Sequence, residues 1–345
     1  MRNFTAAFVA LFLLISLPQI DAAGELRRGP VQPAEGPGGT RYQHETLTTW
    51  HHGINHERYN VFEPAGPTRE KAGLVILLHD WLTEDAEYYM GLIRHLCRSG
   101  KVVLFPRYQG TGAPDEDYHT NIVWSIKDFL LQAFARQGTQ IDSSRVTIIG
   151  HGAGAVLAAN VAATADYFAL PTPSALMIIT PHQRSLKLLD LTGISRQAKL
   201  VVISGDATDP INDQTAREIY YAANRVRSVN KIFITVLSDY YGQPPLIADE
   251  LAALSPERPL YERLVVRRRH EFVKSFRERS VAGTLRASHI DAFDWFAIFR
   301  VFDALEQTLA GQTGLKIFKN TPELRFMGYW SDGRKLKGLI VTDRP

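Results

Sequence analysis

The chain has 345 residues, of which 45% are hydrophobic and 22% charged, and its formal net charge is +3. This length is enough for one large domain with a substantial core or for two small domains, and the composition is that of a globular protein without low-complexity runs. The nearly balanced charge gives no support for a nucleic-acid partner, and we interpret the basic run Arg267-Arg268-Arg269 as a solvated helix face.

The first 22 residues have the pattern of a secretory signal. Arg2 precedes a short apolar run over residues 6–17, and small residues then offer a cleavage site before Ala23. That run is shorter than the roughly 20 residues that span a bilayer. We therefore predict a cleavable signal peptide at 1–22, export as a secreted or periplasmic protein, and no membrane insertion of the mature chain.

Alternating strand and helix patterns follow an N-terminal extension, which we place at residues 23–57 and which is rich in Pro and Gly at 24–39. Strands are predicted over residues 58–63, 73–79, 102–106, 145–149, 175–180, 200–204 and 232–237, and helices over residues 87–98, 121–136, 153–165 and 290–309. This order predicts an α/β fold with a doubly wound, mostly parallel sheet. Residues 238–288 interrupt the alternation as a possible lid, and residues 312–345 form a C-terminal tail.

One turn has the glycine spacing and the flanking strand and helix of a nucleophile elbow, but it lacks the nucleophile. A short strand leads into Gly150-His151-Gly152-Ala153-Gly154, and a helix of small residues follows. This strand, sharp turn and helix form the context of the G-x-S-x-G motif, in which a serine oxygen stands at the top of the sheet. Gly152 occupies the serine position, and a residue without a side chain cannot attack a carbonyl.

Three further segments carry a resemblance to a known family. His79-Asp80-Trp81 ends a buried strand, Gly205 to Ile211 forms a turn containing Asp209 before Pro210, and His289 precedes the last long helix. In this order the segments resemble the α/β-hydrolase superfamily, and within it an exported bacterial group of esterase-, cutinase- or polyester-hydrolase-like proteins. The resemblance covers residues 58–311, which we take as the α/β-hydrolase domain.

The resemblance assigns roles residue by residue. It implies that Asp209 orients His289, that His289 is the general base, and that the backbone N–H groups of Trp81 and Ala153 form the oxyanion hole. His151, beside the nucleophile position, is expected to support the turn. Asp80 departs from the family, because it replaces a glycine and places a carboxylate beside a pocket that stabilises negative charge.

Other interpretations of these residues remain open. Gly150 to Ala155 also fits the dinucleotide fingerprint G-x-G-x-x-[GA], although no acidic residue ends the next strand. Asp206 competes with Asp209 for the acid role, Asp209 can be a simple turn former, and His289 can cap a helix. A metal site of Asp80, Asp209 and His289 is conceivable, but their spacing is no known motif. We predict no metal and no cofactor.

Three functions are compatible with these residues. The first is a non-hydrolytic pseudoenzyme that binds a small-molecule or ester-like ligand, or serves as a scaffold for a protein partner. The second is a hydrolase or lyase that uses the His289–Asp209 dyad without a covalent intermediate. The third is an ordinary carboxylic ester hydrolase with another nucleophile, for which Ser143, Ser144 and Cys97 are poor candidates because of their places in the predicted elements.

Overall fold

A computed structural model describes residues 26–66, 71–109, 113–136, 138–257 and 289–345. The strands in these ranges are β1 (Leu47–His52), β2 (Tyr59–Pro64), β3 (Ala72–Leu78), β4 (Lys101–Pro106), β5 (Ile141–His151), β6 (Ala175–Ile179), β7 (Lys199–Gly205), β8 (Lys231–Val236) and β9 (Ile340–Thr342). The predicted signal peptide, the basic run 267–269 and residues 258–288 of the predicted lid lie outside the described residues.

The helices lie between these strands. They are α1 (Met90–Arg98), α2 (Tyr118–Ala135), α3 (Ala153–Thr164), α4 (Pro210–Ala222), α5 (Arg300–Leu309) and α6 (Pro322–Arg325). A π-helical turn, Asp294–Phe299, leads directly into α5, and short 3₁₀ turns lie at Asn55–Glu57, Ala86–Tyr89, Asp115–Asp117, Leu191–Gly193 and Ser228–Asn230. The predicted helix over 87–98 thus begins as a 3₁₀ turn, and the one over 290–309 begins as a π turn.

The described strands form one sheet in the order β1-β2-β4-β3-β5-β6-β7-β8-β9. The six strands from β4 to β8 in this order are mutually parallel, whereas β1, β2 and β9 pair antiparallel. The predicted α/β class and mostly parallel sheet are therefore confirmed. In such a sheet the carboxyl ends of neighbouring strands lie at one edge, where α/β proteins place their sites.

Helices cover both faces of the sheet, so the central strands are buried on both sides. All seven residues of β3 are buried, as the continuous apolar run predicts. Successive side chains alternate between the faces: Val75 and Leu77 join the core with α1 and α5, while Leu74 and Ile76 join the core with α2 and α3.

Two sheet strands lie in segments that the sequence pattern separates from the domain. β1 lies within the predicted extension 23–57, and β9 lies within the predicted tail 312–345. The tail also buries Trp330, which is 1% exposed and lies beside Tyr241. Of the predicted lid, residues 238–257 pack against the domain, with the Ser255 hydroxyl accepting the Leu92 N–H at 3.0 Å.

Candidate functional site

The turn after β5 has the backbone geometry of a nucleophile elbow. Gly152 has φ 58° and ψ −119°, a conformation that glycine tolerates and other residues adopt only under strain. Its N–H donates to the Ile179 carbonyl at 3.0 Å, and α3 begins at the next residue. Gly154 lies so close to the end of β3 that a side chain there would overlap the Leu78 carbonyl. The close packing of α3 on the sheet therefore requires small residues at this turn.

The carboxylate of Asp80 occupies the predicted oxyanion hole. Its Oδ1 accepts the Trp81 N–H at 2.6 Å and the Ala153 N–H at 2.8 Å, which are the two donors that the resemblance assigns to an oxyanion. Asp80 is only 7% exposed. The chain's own carboxylate thus takes the place in which a reacting carbonyl oxygen would be bound.

The same carboxylate fills the space above Gly152. A Cβ built on Gly152 would overlap Cγ and both oxygens of Asp80. A side chain at position 152 and the present position of Asp80 therefore exclude each other. The two departures from the family pattern, Gly152 and Asp80, are in this sense one structural change.

His182 is the third group that binds this carboxylate, and none of the sequence motifs includes it. Its Nε2 lies 2.5 Å from Asp80 Oδ1, with the two side chains 6% and 10% exposed. The residue follows β6, and its N–H donates to the Gly152 carbonyl at 3.2 Å. The available signal was positional, because β6 neighbours β5 in a parallel sheet and its carboxyl end must lie beside the elbow.

The environment of Asp80 keeps its carboxyl group ionised. Burial by itself would raise the pKa, but the hydrogen bond and the positive charge of His182, together with the Ala153 N–H, hold the pKa of Asp80 well below its usual range. Three hydrogen bonds thus converge on one charged, buried oxygen. Such charge-assisted bonds are shorter and stronger than neutral ones.

A buried polar network fixes the backbone around Asp80. The Asp80 N–H donates to the Tyr89 hydroxyl at 2.8 Å, and that hydroxyl lies 2.9 Å from both Thr83 Oγ1 and His151 Nδ1. The other ring nitrogen of His151 lies 2.7 Å from the Glu250 carbonyl. His151 is therefore held between two partners beside the turn, and burial lowers its pKa, which favours the neutral ring.

His79 supports Asp80 from the strand side. Its Nδ1 lies 2.7 Å from the Asp80 carbonyl, and its ring stacks on Tyr108 with centroids 4.4 Å apart. Burial lowers the pKa of His79 to about 4, so the ring is neutral at physiological pH and Nδ1 is the donor. The backbone of Asp80 is consequently anchored on both sides.

The predicted acid, Asp209, lies at the N-terminus of α4. Its exposed side chain accepts the Ile211 N–H at 2.9 Å as a helix cap, and its own N–H donates to Glu250 Oε1 at 2.7 Å. Asp206 is also exposed, and its Oδ1 accepts both the N–H and the hydroxyl of Ser238. The contacts described for these two carboxylates are those of a cap and a turn.

His289 is exposed and begins the last described stretch of the chain. Burial raises the pKa of Asp291, two residues further on, and the positive charge of His289 partly offsets this effect. The described contacts thus bring Asp80, Trp81, Gly152, Ala153 and His151 into one site. The dyad of Asp209 and His289 stays a prediction.

Other nucleophiles and metal ligands find little support among the described residues. Cys97 is fully buried on α1, and burial raises the pKa of its thiol far above neutrality. Ser144 lies at the amino-terminal part of β5, where its hydroxyl donates to Asp142 at 2.6 Å. The described ranges contain no group of three or more His, Cys, Asp or Glu residues arranged to hold a metal ion.

One comparison with known proteins supports the fold. A family model for the alpha/beta hydrolase fold matches residues 79–245, just under half of the chain, and this range includes Asp80, the elbow, His182 and Asp209. No curated protein matches the chain. In the part of the chain that the structure describes, no helix is long and apolar enough to cross a membrane. The sheet order, the elbow and the family match lead to one conclusion: this chain has the alpha/beta hydrolase fold.

Proposed function

We propose that this protein is an exported pseudoenzyme of the alpha/beta hydrolase fold, with a non-hydrolytic binding or scaffolding role. The observation that carries the proposal is the position of Asp80, whose Oδ1 accepts both N–H groups of the oxyanion hole. Its carboxylate also fills the space that a side chain at Gly152 would need. Nucleophile and oxyanion hole are thus lost together.

Electrostatics makes the loss severe. A tetrahedral oxyanion near Asp80 would meet a like charge, which costs about 4 kcal/mol at about 4 Å and an effective dielectric constant of about 20. In serine proteases, loss of the nucleophile alone costs about a millionfold in kcat, and the residual rate depends on the oxyanion hole and on substrate binding. Because Asp80 occupies that hole, the residual route is closed as well.

The described contacts favour this role over the alternatives that keep catalysis. A working dyad needs a carboxylate that orients the histidine, whereas Asp209 is exposed and caps α4. A conventional ester hydrolase needs a nucleophile beside the oxyanion hole, and the carboxylate of Asp80 lies there instead. Most members of the fold are hydrolytic, so the proposal rests on these residues of this chain and not on its fold.

The experiment uses the full chain, exported with its own leader and purified, as wild type, Asp80→Gly, Gly152→Ser and the double variant. Each protein is tested for hydrolysis of a short-chain chromogenic ester and for labelling by a serine-directed fluorophosphonate. Circular dichroism and urea unfolding establish that each variant is folded. We expect no labelling of the wild type or of either single variant.

The double variant has a serine and an empty oxyanion hole, so labelling only there would support the proposal. His289→Ala in the wild type and in the double variant tests the histidine. Ester hydrolysis by the wild type that His289→Ala abolishes would overturn the proposal in favour of the dyad enzyme. Stoichiometric labelling of the wild type would overturn it in favour of a conventional hydrolase.

A further inference from the structure

Helix α2 carries apolar side chains on its outer face that no part of the described chain covers. Trp124 is 52% exposed, Leu131 70% and Phe134 93%, and Ile54 of the neighbouring turn is 73% exposed. Trp124 and Leu131 are seven residues apart and Phe134 is three residues further, so the three lie on one side of the helix. These four side chains are called the apolar patch below.

The apolar patch borders a groove of about 540 Å³ between α2 and the end of β1. Ile54, Trp124 and Leu131 line this groove together with His52 and Lys127. A soluble monomer rarely leaves a contiguous apolar surface of more than a few hundred Å² in water. Single exposed apolar residues need no explanation, but three that line one groove, with Phe134 further along the same side of α2, indicate a surface with a partner.

An unpaired sheet edge lies next to this surface. Within the described residues, β1 pairs only with β2, so its other side presents free backbone N–H and C=O groups. The strand, Leu47–His52, contains no proline, lysine or acidic residue of the kind that protects natural edges. Helix α2 packs directly over it, with the rings of Trp50 and Phe129 stacked at 6.2 Å and His52 Nδ1 2.7 Å from Asp128.

We propose that this surface, made of the apolar patch and the free edge of β1, binds a second copy of the same chain about a two-fold axis. A six-residue edge strand can pair with itself antiparallel, and a two-fold axis then brings the two α2 helices side by side. Each copy would cover the apolar patch of the other. The proposal is independent of the closed elbow, which lies at a different part of the sheet.

Charge and area both fit this partner. The groove is lined by a cation, Lys127, and by an exposed acid, Glu57, so two copies related by a two-fold axis can place the cation of one against the acid of the other. The third charged residue of the groove, Asp128, is already bonded to His52 and Tyr59 within its own chain. A large apolar side chain presents roughly 150–250 Å² when fully exposed, so the apolar patch offers on the order of 500 Å² per chain. With the edge strand this approaches the ~800 Å² per partner of a stable interface.

The test is the oligomeric state of the full exported chain, measured by sedimentation equilibrium over a range of concentrations. We expect a dimer at micromolar concentration. The variant carrying Leu131→Glu and Phe134→Glu places two carboxylates in the interface and should weaken dimerisation at least about 100-fold. Both positions are exposed in the monomer, so circular dichroism and the urea midpoint of the dissociated chain should match those of the wild type.

Val229→Glu is the matched control, because Val229 is 62% exposed but lies directly before β8, which is far from β1 in the sheet. Its dimer constant should stay within about threefold of the wild type. A wild-type chain that remains monomeric at about 100 µM would overturn the proposal. A dimer that survives both glutamates, or that the control weakens equally, would also overturn it.

Discussion

Buried charges need hydrogen-bond partners and apolar side chains need to be kept from water. The elbow meets the first need within the described chain, whereas the outer face of α2 does not meet the second. At the elbow, three hydrogen bonds converge on one buried carboxylate oxygen of Asp80, so a charged group is satisfied inside the chain. On α2, Phe134 and Leu131 are mostly in water and find no partner within the described chain. The motif position at the elbow is therefore closed, whereas α2, which carries no motif, has the surface that is open to a partner.

Removing His182 should have the largest effect on stability. In His182→Ala the buried carboxylate of Asp80 loses the ring nitrogen that lies 2.5 Å from its Oδ1, and removing the partner of a buried charge typically costs about 3–5 kcal/mol of the free energy of unfolding. Urea unfolding measures the loss. In the Asp80→Asn background the same substitution should cost much less, since no buried charge is left unpaired. An equal cost in both backgrounds would contradict the role assigned to the pair.

Adding a methyl group at position 152 tests directly whether the Asp80 carboxylate fills the space above Gly152. Gly152→Ala should cost about 2–4 kcal/mol, because the residue has φ 58° and its Cβ would overlap the Asp80 carboxylate. Gly311→Ala is the control, since Gly311 has φ 66° but open space around its Cβ position. It should show only the backbone strain, about 1–2 kcal/mol.

The overlap can be separated from the strain by a double-mutant cycle. If Asp80 causes the extra cost, Asp80→Gly should relieve part of it. The double variant with Gly152→Ala should then lose about 1–3 kcal/mol less free energy of unfolding than the sum of the losses in the two single variants. Strict additivity would mean that position 152 and Asp80 do not compete for the same space.

Asp294, a buried carboxyl group at the start of the π-helical turn, should make the stability of the protein depend on pH. Asp294 is 1% exposed, and burial, followed by the charge of Asp291, raises the pKa of its carboxyl group well above the usual range. A raised pKa stabilises the protein below the unfolded value near 4, and this stabilisation is lost as the pH rises through the folded value.

Asp294→Asn removes this titration while it keeps an acceptor for the Asp291 N–H, which Asp294 Oδ2 accepts at 2.9 Å. We expect equal stability of wild type and variant near pH 4 and an advantage of about 1–2 kcal/mol for the variant near pH 8. Asp166→Asn, on an exposed turn, should show no such difference. The prediction fails if the free energies of unfolding of wild type and Asp294→Asn differ by the same amount at both pH values.

The smallest expected loss of stability is at Asp209, where two substitutions distinguish a helix cap from a catalytic acid. Asp209→Ala removes the acceptor for the Ile211 N–H and should cost about 1 kcal/mol, whereas Asp209→Ser keeps a cap and should cost only a few tenths. If the double variant with Asp80→Gly and Gly152→Ser hydrolyses esters, both substitutions at Asp209 can be tested there. Equal loss of activity with unequal loss of stability would establish the acid role that the sequence predicts.

The layered α/β fold and the place of the elbow are both predictable from the sequence. Both depend on local patterns: apolar runs such as residues 73–79 predict strands buried on both faces, and Gly150, Gly152 and Gly154 mark the sharp turn before α3. The sequence also identified Gly152 and Asp80 as departures from the family pattern, because each is a single substitution within a short motif.

The contact between Asp80 and the space above Gly152 could not be predicted from these motifs, because it depends on the folded chain. Asp80, Gly152 and His182 follow three different strands, and their contact depends on the parallel order β3-β5-β6, which brings the three carboxyl ends to one edge. Likewise, β1 and β9 are recognisable as strands by their partners in the sheet, because β1 is largely polar and β9 has only three residues. Hydrogen bonding across such distances in the chain leaves no periodic signal in the sequence, so it becomes visible only after the chain has folded.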